Sequence, residues 1–377
     1  MKKHPCIISN STICQSYKYR FPYDLIYRAN FKKMNFQAKN LYQCKKCSII
    51  YLRSGNLKKE LDNLYFGKKY ASLRKNYNIK YKNIGGQKFS KYKDLAEIIK
   101  KKTDSSTTKI LDIGCYDGSL LKELSKKIKN CQFHGCDIGP NTKKLFIKNC
   151  KFKFWDNLTL IKEKFDLITC VNTLQYVPNP KIFIKNIKNL LEKNGKIFFL
   201  TLNLSTNPYS ITYGDQYYHF TENNLGNLLI GNDLSGKIIS NNKSFPRNLI
   251  SIVKKIKKKK KYRFLKSEKI FYLFQYLKNA ENKMAKLKQI ENNKNIYIFG
   301  STANSVFVFK SLKKQKIKID NFIDENPKKI NTLFYGKKII SLPRAKKNSI
   351  LILPYGKTNK NIYLKLKKKY NFNFFRV

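Results

Sequence analysis

Acidic residues are scarce in this chain: 23 Asp and Glu stand against 79 Lys and Arg, giving a formal charge of +56 over 377 residues. A surplus of that size ordinarily points to nucleic acid. Here the lysines run through nearly every segment and come with abundant Asn, Ile, Tyr and Phe, all with A/T-rich codons. The charge therefore reads as genome composition, and no specific nucleic-acid partner is expected. Long apolar runs are missing too. No stretch approaches the ~20 residues that a membrane span requires. The opening MKKHPCIISNSTIC has two lysines and then polar residues where a signal peptide needs a continuous apolar core. A cytoplasmic protein is expected, in which nine cysteines act as thiols or metal ligands and not as a disulfide framework. What remains is ample for folding: hydrophobic residues make up 42% and aromatics 14%, enough for a globular chain of two or three domains.

The chain is organised around Lys109 to Leu121. Ile110, Leu111 and Ile113 form an apolar run too brief for a helix, which reads as a buried parallel strand. The strand carries Asp112 and breaks at Gly114. Gly118 then opens an amphipathic helix with Leu120, Leu121, Leu124 and Ile128 on its apolar face. Strand, glycine loop and helix set backbone N–H groups and a helix N-terminus beside a ligand at the carboxyl edge of a sheet. Some twenty residues on, Asp137 ends a second short strand, Gln132 to Cys136, where a carboxylate can bond both hydroxyls of a ribose.

NAD enzymes share that pattern, and three details favour S-adenosylmethionine (SAM). Asp112 lies before the glycines, where it can orient the cofactor's amino-acid end through the loop. Phe152 to Phe154 leads into Trp155 and Asp156, suited to stacking on and bonding to adenine. The run FDLITCVNTLQYVPNP, Phe165 to Pro180, gives a fourth strand, a polar turn at Asn172 and Thr173, and a helix. On these residues Thr108 to Leu202 resembles a class I SAM-dependent methyltransferase domain, with KIFFLTL (Lys196 to Leu202) as its fifth strand. Phe89 to Lys102 reads as a helix on the sheet edge with Leu95, Ile98 and Ile99 inward, and Tyr65 or Tyr70 before it can reach a substrate. Thr221 is placed to cap a later helix, and Lys237 to Ser240 and Arg247 to Val253 fit the last two strands.

Upstream, LYQCKKCSIIYL has the strand, knuckle, strand pattern of a zinc ribbon, with Cys44 and Cys47 as a pair for one tetrahedral Zn²⁺. The partner half, CIISNS, keeps Cys6 but has Ser9 where a second cysteine is expected. Cys14, five residues beyond Ser9, and His4 are further candidates. Read without metal, the ribbon is held by Ile49, Ile50, Tyr51 and Leu52. Downstream, Lys254 to Arg263 is nearly all lysine, a solvated linker before a helix over Ile270 to Ile290. A second α/β unit starts at Asn295. Its turn FGSTANS keeps only Gly300, so a dinucleotide fingerprint is absent and tight NAD binding is not expected.

The whole chain resembles the three-domain sugar C-methyltransferases. CKKC with SIIYL, DIGCYDGSLL with a bulky residue at Tyr116, VNTLQYVPNP, YIFGSTANS, FIDENPKK and ILILPYG carry the resemblance. It implies an α/β class I core between a small zinc-ribbon-like module and a C-terminal Rossmann-like domain. The expected boundaries are 1–75 for the module and lead-in, 76–253 for the core, 254–293 for the basic helical linker and 294–377 for the last domain. The implied function is C-methylation of a nucleotide-linked keto-deoxysugar through an enolate, with SAM as cofactor and structural zinc, in a monomer or homodimer. The implied cofactor residues are Asp112, Gly114, Gly118, Asp137, Asp156 and Asn172, and the metal set Cys6, Cys14, Cys44 and Cys47. The active-site loop departs from the family: Tyr213 and Asp215 keep their character, Gln216 replaces the basic histidine, and His219 stands in a tyrosine's place. Tyr176 replaces a second histidine. Carbon methylation needs a base for the α-proton and donors for the enolate oxygen, roles that His219, Asp215, Tyr213 and Tyr176 are expected to divide, with His219 as base. An N- or O-methyltransferase on a nucleotide sugar or other small metabolite, and a non-catalytic relative in polysaccharide assembly, are the alternatives.

Overall fold

A computed structural model describes residues 5–19, 39–53, 58–59, 62, 81–82, 88–104, 106–139, 141–256, 264–266, 269–290 and 294–377. His4, Tyr65, Tyr70 and residues 257–263 of the lysine tract lie outside them.

Three antiparallel strands come first: β1 (Cys14–Tyr19), β2 (Lys39–Cys44) and β3 (Ile50–Arg53). The short strand Tyr218–His219 joins the far side of β3, pairing His219 with Ile50. The loop expected to carry catalysis is therefore stitched into the N-terminal sheet.

The core begins with α1 (Lys91–Lys100), shorter than the periodicity suggested, with Leu95 and Ile99 buried and Ile98 half-buried. Next come β4 (Lys109–Ile113), α2 (Ser119–Ser125), β5 (Gln132–Cys136), α3 (Thr142–Asn149), β6 (Lys153–Trp155), β7 (Phe165–Val171) and α4 (Pro180–Asn189). β8 (Leu191–Leu202), α5 (Glu222–Ile230), β9 (Leu234–Ile239) and β10 (Asn248–Lys255) complete it. Thr221 caps α5 in a reciprocal box with Asn224. The sheet order is β9-β10-β8-β7-β4-β5-β6. All neighbours are parallel except β10, which runs against both β8 and β9. Alternation along β4 explains the two layers. Ile110 packs with Leu95, Leu120 and Leu124 on one face, and Leu111 and Ile113 pack with Ile184, Ile187 and Leu228 on the other. Each such side chain contributes about 1.5–3 kcal/mol on burial. The chain order reverses at β4, so ligands are expected at its carboxyl end.

Helix α6 (Ile270–Ala285) buries Ile270, Leu273, Leu277, Ala280 and Met284 and gives way to a 3-10 turn. It leads to β11 (Ile296–Phe299), α7 (Ala303–Lys314), β12 (Asn321–Ile323), β13 (Leu333–Phe334), β14 (Lys337–Ile340), β15 (Ile350–Leu353), α8 (Asn359–Lys367) and β16 (Asn373–Arg376). Their order is β13-β14-β12-β11-β15-β16, parallel except for the edge strand β13. One apolar cluster links Leu41, Ile50 and Leu52 of the N-terminal sheet, Leu204 to Ile211 after β8, α6, and Ile298 and Phe307 beyond it.

Candidate active site

The glycine loop after β4 is locked by its own backbone. Gly114 (φ +74°) and Gly118 (φ +71°) adopt left-handed conformations, and Tyr116 between them does so with a side-chain cost (φ +49°). The N–H groups of Gly114 and Cys115 both donate to Cys136 O, at 2.8 and 3.2 Å. A Cβ on Gly114 would lie 2.1 Å from Thr173 Oγ1, and one on Gly118 2.5 Å from Cys150 Sγ. Only glycine fits either place.

Two carboxylates flank this loop. Asp137 Oδ2 accepts the Tyr116 N–H and Oδ1 the Gly139 N–H, each at 2.9 Å, which fixes the group at the mouth of the loop. Asp112 is buried on β4, and its Oδ1 accepts the Thr169 hydroxyl from β7 at 2.7 Å. Burial pushes its pKa up to about 7, with Asp137 and Asp117 adding to the rise and Thr169 opposing it. Asn172 follows β7 with φ +52°, and its N–H donates to Leu200 O at 2.7 Å. Asp156 reaches the same edge but is exposed and paired with Lys143 at 2.8 Å. Trp155 does not offer an open platform. Its Nε1 donates to His134 Nδ1 at 3.4 Å, and Lys153 Nζ lies 4.5 Å from its ring centroid. The residues expected to hold a cofactor thus lie around one edge, beside three more that the sequence did not single out. Thr169 was hidden because its pairing opposite Asp112 is a matter of register. Thr173 was read only as part of a polar turn. Ile138 is 65% exposed directly after Asp137, and its position beside the acid was the available signal for it.

The loop 213–219 closes the other side. Tyr213 OH donates to Asn304 Oδ1 at 2.9 Å, and Asn304 Nδ2 donates to Asn207 Oδ1 at 2.9 Å and Pro354 O at 2.8 Å. Asp215 and Tyr176 are half-buried. His219, expected to act as base, is enclosed. It is 2% exposed, and burial drives its pKa down to about 3 against an opposing backbone interaction with Ser210. The reason is strand pairing: beside Ile50, whose side chain joins the apolar cluster, the imidazole is enclosed and neutral. Gln216 is also enclosed, with Nε2 unpaired among the described residues.

Across Asn207 and Asn304 the carboxyl ends of the second sheet face those of the first. Gly300 (φ +83°) turns out of β11 and Thr302 caps α7 in a reciprocal box with Ser305. Asp324 receives the Ser301 N–H at 2.9 Å and Lys329 Nζ at 3.2 Å. Burial alone would raise the Asp324 pKa, but Lys329 and the Ser301 and Asn326 hydrogen bonds together hold it below the usual value. Arg247, just before β10, lies over the Tyr355 ring at 5.2 Å from its centroid.

The remaining candidates form a separate centre. Cys6, Cys44 and Cys47 are buried with their sulfurs within 4.8 Å of one another. Three converging free thiols in a dry site suit a thiophilic divalent cation. Cys14 stands outside that trio: its sulfur accepts the Tyr51 hydroxyl at 3.2 Å, although it lies near enough to Cys44 to interact with its side chain.

Residues 85–236 match the sequence model of a family described as "Methyltransferase domain". A ubiquinone biosynthesis O-methyltransferase of Coxiella burnetii (strain RSA 493 / Nine Mile phase I) is 31% identical over 125 residues, covering 29% of this chain and 50% of the relative. One from Glaesserella parasuis serovar 5 is 45% identical over 56 residues, covering 15% and 24%. The chain spans about half the length of the first of these curated relatives. Among solved structures, magnesium protoporphyrin IX methyltransferase from Synechocystis PCC 6803 with bound SAH has 14% identity and a TM-score of 0.40, over 52% of this chain and 98% of that one. A SAM-dependent methyltransferase from Clostridium acetobutylicum ATCC 824 has 18% identity and a TM-score of 0.37, over 50% and 98%. Residues 85–236 of the chain thus match a methyltransferase domain, and the glycine loop and Asp137 lie inside the matched region.

Proposed function

We propose that the whole protein is a SAM-dependent methyltransferase that C-methylates a nucleotide-linked keto-deoxysugar. The observation that carries this reading is the apposition of two ligand-facing sheet edges, joined by Asn207, Asn304 and Tyr213. One edge holds the Gly114, Gly118, Asp137 cradle, and the other, with the α7 N-terminus and Lys329, and with Arg247, just before β10 of the first sheet, reaching over Tyr355, suits the phosphates of a nucleotide. SAM, when bound, supplies an electrophilic methyl group on a sulfonium. Asp137, Asp112, Asn172 and Asp156 are assigned to hold it, with Ile138 against its adenine. Asp215 is assigned to take the proton next to the ketone, with Tyr213 and Tyr176 as donors toward the enolate oxygen. His219 is given no proton-transfer step, because an enclosed imidazole meets no substrate. The second sheet is read as a Rossmann-like lobe and the three-thiol group as a structural zinc site.

A second reading, methylation at oxygen or nitrogen, draws support from that enclosure of His219 and from Gln216, since such acceptors demand less of a base. Calorimetry tests the cofactor part: SAM and S-adenosylhomocysteine should bind, and Asp137→Ala should weaken both about 10-fold or more by removing ribose contacts. For the acceptor, a 4-keto sugar nucleotide in D₂O should exchange its α-proton with enzyme present. Asp215→Asn should stop the exchange and His219→Asn should leave it. NMR location of the new methyl group on oxygen or nitrogen would remove the carbon reading and leave the second.

A further inference from the structure

The two cysteine knuckles are built alike down to individual hydrogen bonds. In the second, Cys44 N–H donates to Ile49 O at 3.1 Å and Ser48 N–H to Cys44 O at 2.9 Å, with Ser48 at φ +58°. In the first, Cys6 N–H donates to Ser11 O at 2.8 Å and Asn10 N–H to Cys6 O at 2.8 Å, with Asn10 at φ +55°. Position by position, Ser9 is the counterpart of Cys47. Side chains cross between the knuckles in the same sense: Cys6 Sγ lies 3.5 Å from Cys47 Sγ, and Ser9 Oγ lies 3.2 Å from Cys44 Sγ. Around zinc, bonds of about 2.3 Å to sulfur and about 2.0 Å to oxygen place S–S edges near ~3.8 Å and S–O edges near ~3.5 Å. The S–S and S–O separations across the knuckles are each about 0.3 Å shorter than such edges, and the third sulfur lies within 4.8 Å of the other two.

We propose that this centre binds a divalent metal through Cys6, Cys44 and Cys47 with the Ser9 hydroxyl as fourth ligand, and that Cys14 takes no part. The proposal rests on the zinc reading above and goes beyond it in naming an S₃O set. Cys14 lies across from Cys44 in the strand register and neighbours the centre, but its sulfur falls outside the mutually close trio and accepts the Tyr51 hydroxyl. An oxygen corner binds zinc less tightly than a fourth thiolate, because the hydroxyl is a harder and weaker donor. The site is thus more exchangeable than one with four cysteines.

Cobalt(II) substituted into the purified full-length protein tests this, since each thiolate adds its own charge-transfer intensity. Wild type and Cys14→Ser should give the same spectrum. Ser9→Cys should raise the charge-transfer band by about one third, from three thiolates to four, and tighten zinc against a chelator by about 10-fold or more. Ser9→Ala should shift the ligand-field bands and loosen zinc about 10-fold. A band that falls in Cys14→Ser would show that Cys14 is recruited, and an unchanged Ser9→Ala spectrum would hand the corner to water. Either result overturns the assignment. Failure of wild type to take up zinc or cobalt at all, with circular dichroism showing a folded protein, would instead remove the zinc reading on which it rests.

Discussion

Asp112 sits where burial and two neighbouring carboxylates oppose ionisation, and Thr169 alone among the stated contributions favours it. Its pKa of about 7 lies above the ordinary 3.8. The folded state therefore keeps a proton that the unfolded chain has lost, and the sign of the linkage follows. The stabilising contribution of this group is complete below about pH 4 and is lost as pH rises through about 7. Asp112→Asn cannot ionise, so in the ligand-free protein its unfolding free energy relative to wild type should climb between about pH 4 and 7 and then level off, by a few kcal/mol at most, as urea denaturation at each pH would show. A bound cation reverses the preference by favouring the carboxylate. SAM affinity of the wild type should accordingly strengthen across pH 6 to 8 with proton release, measurable by calorimetry in buffers of different ionisation enthalpy. In Asp112→Asn that dependence should flatten. A flat wild-type profile would mean that Asp112 does not sense the cofactor.

At the scale of elements, the loop between β4 and α2 and the turn after β7 are one unit. Gly114 leaves room for Thr173, whose hydroxyl lies 3.3 Å from both Ile113 O and Val171 O. Gly114→Ala would strain a positive φ and drive a methyl into that hydroxyl, a loss of about 2–4 kcal/mol. Thr173→Ala removes the closest atoms, so the double variant should recover part of the loss, and a double-mutant cycle by urea denaturation should return a coupling of about 1 kcal/mol or more. Additive losses would separate the two segments. This junction also shows what the sequence could and could not convey. Asp112, Gly114 and Asp137 were legible because local strand and loop patterns fix them relative to one another. Thr169, Thr173 and the enclosure of His219 were not, because they follow from which strand lies beside which. β7 sits next to β4 although 51 residues separate the end of β4 at Ile113 from the next sheet neighbour's start at Phe165. Tyr218–His219 joins β3 across a far longer span. The burial of His219 could be known only once that pairing was known.

For the whole molecule, the same apolar cluster that holds the three parts together also sets two carboxyl edges against each other. The strand, glycine-loop and helix order of the central sheet was readable from local patterns. How the three parts dock was not, since Asn207, Asn304 and Tyr213 are ordinary polar residues until they meet. The docking predicts a division of labour between the edges. Arg247 lies between Asn203, whose N–H donates to the Arg247 carbonyl at 2.9 Å, and the ring of Tyr355. It is on the side away from Asp137 in sheet order, since β10 and β5 are separated by β8, β7 and β4. If the second edge receives the phosphates of a nucleotide-linked acceptor, Arg247→Ala should raise KM for that acceptor about 10-fold or more, the loss expected for a charge-assisted contact of about 1.5–3 kcal/mol. The Kd for SAM should stay unchanged. Arg247→Lys should recover part of the KM, because the charge returns without the planar fork. A variant that lost SAM and acceptor binding equally would indicate collapse of the junction, and thermal denaturation would reveal it. A stable Arg247→Ala protein with unaltered KM would show that the second edge does not read the acceptor.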